Sequence, residues 1–67
     1  MPGFKLNAEN REDLSDARLL LDTAAHNAQV ALRNPIPEEA REALDSALRQ
    51  TQQAALALER VQSRQAV

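Results

Sequence analysis

Asn34-Pro35-Ile36-Pro37 stands at the middle of this 67-residue chain and decides how it folds. Each proline lacks a backbone N–H, holds φ near −65° and disfavours helix in the residue before it. A continuous helix through this point is therefore disfavoured. Pro37 followed by Glu38 and Glu39 reads as the first turn of a new helix, because proline is pre-set for that position and carboxylates suit the positive helix end. Two helices joined by so short a link fold back on each other.

Outward from the turn, the first helix is expected over about residues 10–33, capped by Asn7 or Asn10, with Glu12 and Asp13 in its first turn and Arg33 in its last. Leu14, Ala17, Leu21, Ala24, Ala28 and Ala31 recur at heptad-like steps. Leu20, Ala25 and Leu32 widen that stripe. The second helix is expected over about residues 37–64. Ala40, Leu44, Ala47, Thr51, Ala54, Leu58 and Val61 form its stripe, Ala43, Leu48, Ala55 and Ala57 flank it with Leu48 off the main line, and Arg60 and Arg64 close it on the favourable side of the dipole. Folding about Pro35 and Ile36 matches Ala28 with Leu44, Ala24 with Ala47, Leu21 with Thr51, Ala17 with Ala54 and Leu14 with Leu58. Residues 1–7 read as an arm, with Phe4 and Leu6 as its anchors. The whole is a single all-α domain, an antiparallel two-helix hairpin.

Composition says what such a hairpin needs. With one Phe, no Trp and no Tyr, its core is built from Leu and Ala, and thirteen alanines contribute little apolar area each. Small chains with no disulfide or metal to staple them usually reach stability by oligomerising, and the absence of Cys removes both a disulfide and a thiolate site. Leu19, Leu20 and Leu21 are consecutive and span roughly 200° of helix surface, more than one stripe buries. Leu19 also opens a second line, Leu19, Thr23, His26 and Val30, and Leu56 lies off the main stripe of the second helix among glutamines and Arg60. Grouped on a chain short of core, these residues are the candidate partner-binding positions. The economical assembly is a two-fold homodimer forming a four-helix bundle.

The chemistry for catalysis is missing. The acids Glu9, Glu12, Asp13 and Asp16, and the second group Glu38, Glu39 and Glu42, sit at helix starts, where the dipole explains them. His26 and Asp22 share a face but supply only two ligands. Ser15, Ser46 and Ser63 are scattered, and Gly3, the only glycine, makes no phosphate loop. No enzyme activity, cofactor or metal is expected. The net charge of −2 argues against general attraction to nucleic acid or an anionic membrane. The first residues lack the apolar run of a signal peptide, so a cytoplasmic protein is expected. Seven Arg against one Lys, with abundant Ala, suggest a GC-rich bacterial or phage origin.

In layout the chain resembles several unrelated groups of small bacterial and phage hairpins: plasmid RNA-binding dimers, needle-subunit co-chaperones and anti-activators that bind a transcription factor. The resemblance is one of architecture, and no residue roles follow from it. It implies a non-enzymatic interaction module that occludes or scaffolds an unidentified protein partner. The alternative is a small dimeric RNA-binding hairpin, for which Arg49, Gln52, Gln53, Arg60 and Arg64 offer a weakly basic strip.

Overall fold

The computed structural model describes residues 7–65; the expected arm, with Phe4 and Leu6, lies outside them apart from its last residue, Asn7. Helix α1 spans Ala8–Arg33 and helix α2 spans Pro37–Gln65, packed against each other as an antiparallel hairpin. The first helix starts two residues earlier than its acids suggest. Asn7, in extended backbone, is the cap: its Oδ1 accepts from the Asn10 amide at 2.8 Å, and its carbonyl accepts from Arg11 at 2.9 Å.

The turn is built as the prolines require. Asn34 leaves the helix in extended backbone (φ −76°, ψ 123°), the region a following proline imposes. Its amide still donates to the Val30 carbonyl at 2.9 Å, closing α1. Its side chain then works on both sides of the link. Oδ1 accepts from the Ile36 amide at 2.9 Å, and Nδ2 donates to Glu39 Oε2 at 3.1 Å. The Ile36 carbonyl receives the Ala40 amide at 3.0 Å and opens α2. Among the described residues no φ is positive, so the reversal uses extended backbone and proline in place of glycine.

The seam is where the structure departs from expectation. The buried or half-buried positions on α1 include 10, 13, 17, 20, 24, 27 and 31, and on α2 they include 40, 43, 47, 50, 54, 57, 61 and 64. Both series run at strict alternating steps of three and four, the pattern of a left-handed coiled coil. Ala17, Ala24, Ala47, Ala54 and Val61 belong to it as expected. Leu21, Ala28, Leu44, Thr51 and Leu58 do not; they are exposed, and Leu20, Asn27, Ala43, Gln50 and Ala57 hold the seam in their place. Ala25 and Leu32, expected to flank the stripe, are exposed as well. The innermost cluster is Ala17, Ala54 and Ala57, with Leu20 packed on it.

Two physical causes fix this rotation. Alanine at the closest points lets the helix axes approach toward the short end of the usual spacing of about 8–10 Å, where a leucine would hold them apart. Polar groups on the seam also find partners across it. Asn27 Nδ2 donates to Gln50 Oε1 at 2.8 Å. At the open end, Arg64 Nη1 donates to Asn10 Oδ1 at 2.9 Å and to Asp13 Oδ2 at 2.6 Å. A seam made of the leucine stripe would break these pairs.

The hairpin is long and thin, with extents of 52 × 17 × 14 Å. Its radius of gyration is 15.2 Å, against about 11 Å for a compact domain of this length. Its accessible surface is 5362 Å², against about 4,200 Å² expected for a folded monomer of its mass.

Candidate partner-binding faces

The seam register sorts the remaining surface into two flanks. In an antiparallel pair, the positions just after the first seam series face one another on one side, and those just before it face one another on the other. On the first side lie Leu14, Leu21, Ala25, Ala28 and Leu32 of α1. Beside them run Leu44, Leu48, Thr51, Ala55 and Leu58 of α2, at steps of four, three, four and three. Leu14 and Leu58 line one groove together with Val61, which places the two helices' leucines on the same side. Leu21, Leu44, Leu48 and Leu58 keep 42, 58, 56 and 41% of their surface exposed. Thr51 is the polar interruption, and its hydroxyl donates to the Ala47 carbonyl of its own helix at 2.8 Å. The face therefore offers a methyl group there, with the hydroxyl already satisfied.

The other flank is mixed, and it carries the residues singled out from sequence. Leu19 and Thr23 line a shallow groove with Asp16, Leu20 and Gln50. His26 and Val30 line a second one that runs to the turn, past Ile36 and Glu39. Thr23 Oγ1 donates to the Leu19 carbonyl at 2.9 Å, so this hydroxyl too is occupied within its helix. Leu19, Thr23 and His26 are exposed and Val30 is half-buried. Leu56, on α2, lies in neither groove's lining as described. The register set by the Asn10–Arg64 and Asn27–Gln50 bonds brings it to the same level as Leu19. These two leucines, 62 and 56% exposed, stand among polar neighbours.

A polar clamp closes the open end, where the sequence pattern suggests only dipole partners and a weakly basic strip for Arg64 and Arg60. They turn to the other helix: Arg64 Nη2 pairs with Glu9 at 3.1 Å, and Arg60 Nη2 with Asp13 at 3.4 Å, beside the Arg64–Asp13 bond. The strip thereby gives its two terminal cations to internal acids. Asn10, 1% exposed, is buried beneath the clamp. The signal was available, since acid and amide at seam positions 10 and 13 meet arginines at 60 and 64 once the chain is folded at its prolines.

The hydrogen bond from Arg64 holds the Asp13 carboxyl below the ordinary carboxylate range; desolvation opposes this, and Arg60 adds to it. A depressed carboxylate adds stability that is fully present above its unfolded pKa of about 4 and is lost as pH falls through the folded value. Asp13→Asn is therefore expected to be less sensitive to acid than the parent chain. Thermal melts by circular dichroism at pH 7 and pH 2.5 check this: the Tm difference between the two pH values shrinks in the variant, and an unchanged difference rules the clamp out as an acid-sensitive contact.

Among the described residues no three His, Cys, Asp or Glu side chains are grouped to hold a metal ion. No helix of the described residues is long and apolar enough to cross a membrane. No family model matches the chain, and comparison with curated proteins and with solved structures gives no match.

Proposed function

We propose that this chain is a non-enzymatic interaction module: a cytoplasmic homodimer of hairpins, forming a four-helix bundle, that binds a partner protein and occludes or scaffolds it. One observation carries the reading. The seam is closed with alanines and polar pairs, and the large apolar side chains Leu21, Leu44, Leu48 and Leu58 are left on one exposed flank. A small fold with its leucines outside has interfaces as its main resource. The partner protein is assigned to the mixed flank, through Leu19, Thr23, His26, Val30 and Leu56. Reversible interfaces are about as polar as ordinary surface, whereas homodimer interfaces are more apolar. RNA is disfavoured because Arg64 is committed to Asp13 and Glu9, while Arg60, still largely exposed, also leans toward Asp13.

Leu19→Glu places a carboxylate on the mixed flank, away from the seam. The variant is expected to keep its helicity and its mass while losing the partner. The check is affinity capture from lysate of the parent chain and the variant, each with and without nuclease, followed by mass spectrometry. A protein retained through nuclease and lost with Leu19→Glu supports the reading. Capture that nuclease abolishes overturns it in favour of RNA, and a protein captured equally by both chains removes the mixed flank from it.

A further inference from the structure

We infer that the leucine flank, Leu14, Leu21 and Leu32 of α1 with Leu44, Leu48 and Leu58 of α2, is the surface on which a second copy of this chain docks. The inference deepens the proposed homodimer by assigning it a face, and it rests on that reading. Leu14, Leu21, Leu44 and Leu58 come from the stripes that hydrophobicity alone assigns to the inside of the hairpin, and Leu32 and Leu48 from beside them; all but the half-buried Leu14 are exposed.

The first argument is area. From Leu14 to Leu32 is eighteen residues, about 27 Å of helix at 1.5 Å each, and two helices side by side are about 20 Å wide. The flank therefore measures about 540 Å² per protomer, or about 1,080 Å² for a pair. That clears the roughly 1,000 Å² a specific interface needs, at the small end of the range. The second argument is polarity. Between the end residues of each stripe, the apolar line is interrupted by Arg18, on the row of Ala25 and Leu32, whose long stem lets its charge reach the edge, and by Thr51. Thr51 has already given its hydroxyl to Ala47, so covering it costs no hydrogen bond. The third is charge at the edge. Arg18 and Asp22 stand four residues apart beside the α1 leucines, and Arg41 and Asp45 do so beside those of α2. A two-fold contact joins a patch to itself, so a rim that carries both signs can pair with its own copy, and this one carries both. The mixed flank, with Asp16, Gln50 and Glu39 among its grooves, lacks that uniform apolar centre.

The test uses the unmodified chain, labelled with ¹³C in its leucine methyl groups and exposed to a soluble paramagnetic agent at a concentration where light scattering has given the mass. The expected result is a dimer in which the methyl signals of Leu21, Leu44, Leu48 and Leu58 are protected severalfold relative to those of Leu19 and Leu56. A dimer with the reverse pattern overturns the face assignment while leaving the proposed homodimer standing. A folded monomer at every concentration overturns both. Equal broadening of all six leucines in a dimer also overturns the assignment, since neither leucine set is then covered.

Discussion

Ala54→Leu should destabilise the hairpin strongly by overpacking its most buried contact. Ala54 has no exposed surface and lies in the innermost cluster with Ala17 and Ala57. An isobutyl group has no room there unless the helices separate, and separation lengthens the Asn27–Gln50 bond, now 2.8 Å. Overpacking of this kind costs roughly 1–3 kcal/mol. In a domain of this size each kcal/mol moves Tm by about 4–8 °C. Gln52→Leu, an exposed outward position, supplies the control for a gain in hydrophobicity without overpacking. Thermal melts should show a large drop for the first variant and little change for the second. Equal melting temperatures would mean that the helices are not in close contact at residue 54.

The second large effect belongs to the leucine flank. Leu44→Glu combined with Leu58→Glu puts two carboxylates per protomer into the proposed contact, four across the dimer. Ionised groups buried without partners are among the costliest changes available. Truncating a well-buried interface side chain already costs about 2 kcal/mol or more, roughly a 30-fold loss of affinity. The double variant is expected to lose the dimer across the micromolar range and to melt far below the parent chain, because the hairpin then stands on its narrow, mostly alanine seam. Both positions are exposed in the hairpin itself, 58 and 41%, so a free-standing hairpin would tolerate the change. A variant that keeps the parent's mass and Tm would remove the leucine flank from any assembly.

What the sequence revealed follows from the kind of constraint each residue imposes. Pro35 and Pro37 act through covalent geometry, which no tertiary context overrides, so the turn, the two helices and the antiparallel hairpin were all legible. The choice of seam was not, because two stripes overlap on each helix. One contains Leu21, Leu44 and Leu58 and has more apolar area. The other contains Asn27, Gln50 and Arg64 and looks polar. Counting hydrophobic residues selects the first. The structure uses the second, since alanines permit close approach and the polar members bond one another across it. Leu19, Thr23, His26, Val30 and Leu56 were found from sequence as residues without a place on the seam, and they remain so. The larger leucine flank is hidden in the sequence because Leu14, Leu21, Leu44 and Leu58 fit the stripe expected inside, which leaves only Leu32 and Leu48 beside it.

The same rotation unites fold and proposed function. A seam narrow enough for alanine, keyed by Asn27–Gln50 at its middle and by Asn10, Asp13 and Arg64 at its open end, sets register and orientation in the way buried polar positions do in coiled coils. It supplies little hydrophobic burial. Leu21, Leu44 and Leu58 are held along one exposed edge, where a partner surface would cover them. In the proposed dimer folding and association are one equilibrium, so the melting temperature should rise with protein concentration.

Sedimentation equilibrium on the unmodified chain at micromolar concentrations, with helicity read on the same samples, tests this most directly. The expected result is a helical species of twice the 7.4 kDa chain mass, losing helicity as dilution dissociates it. A fully helical species of 7.4 kDa across the whole range would contradict it.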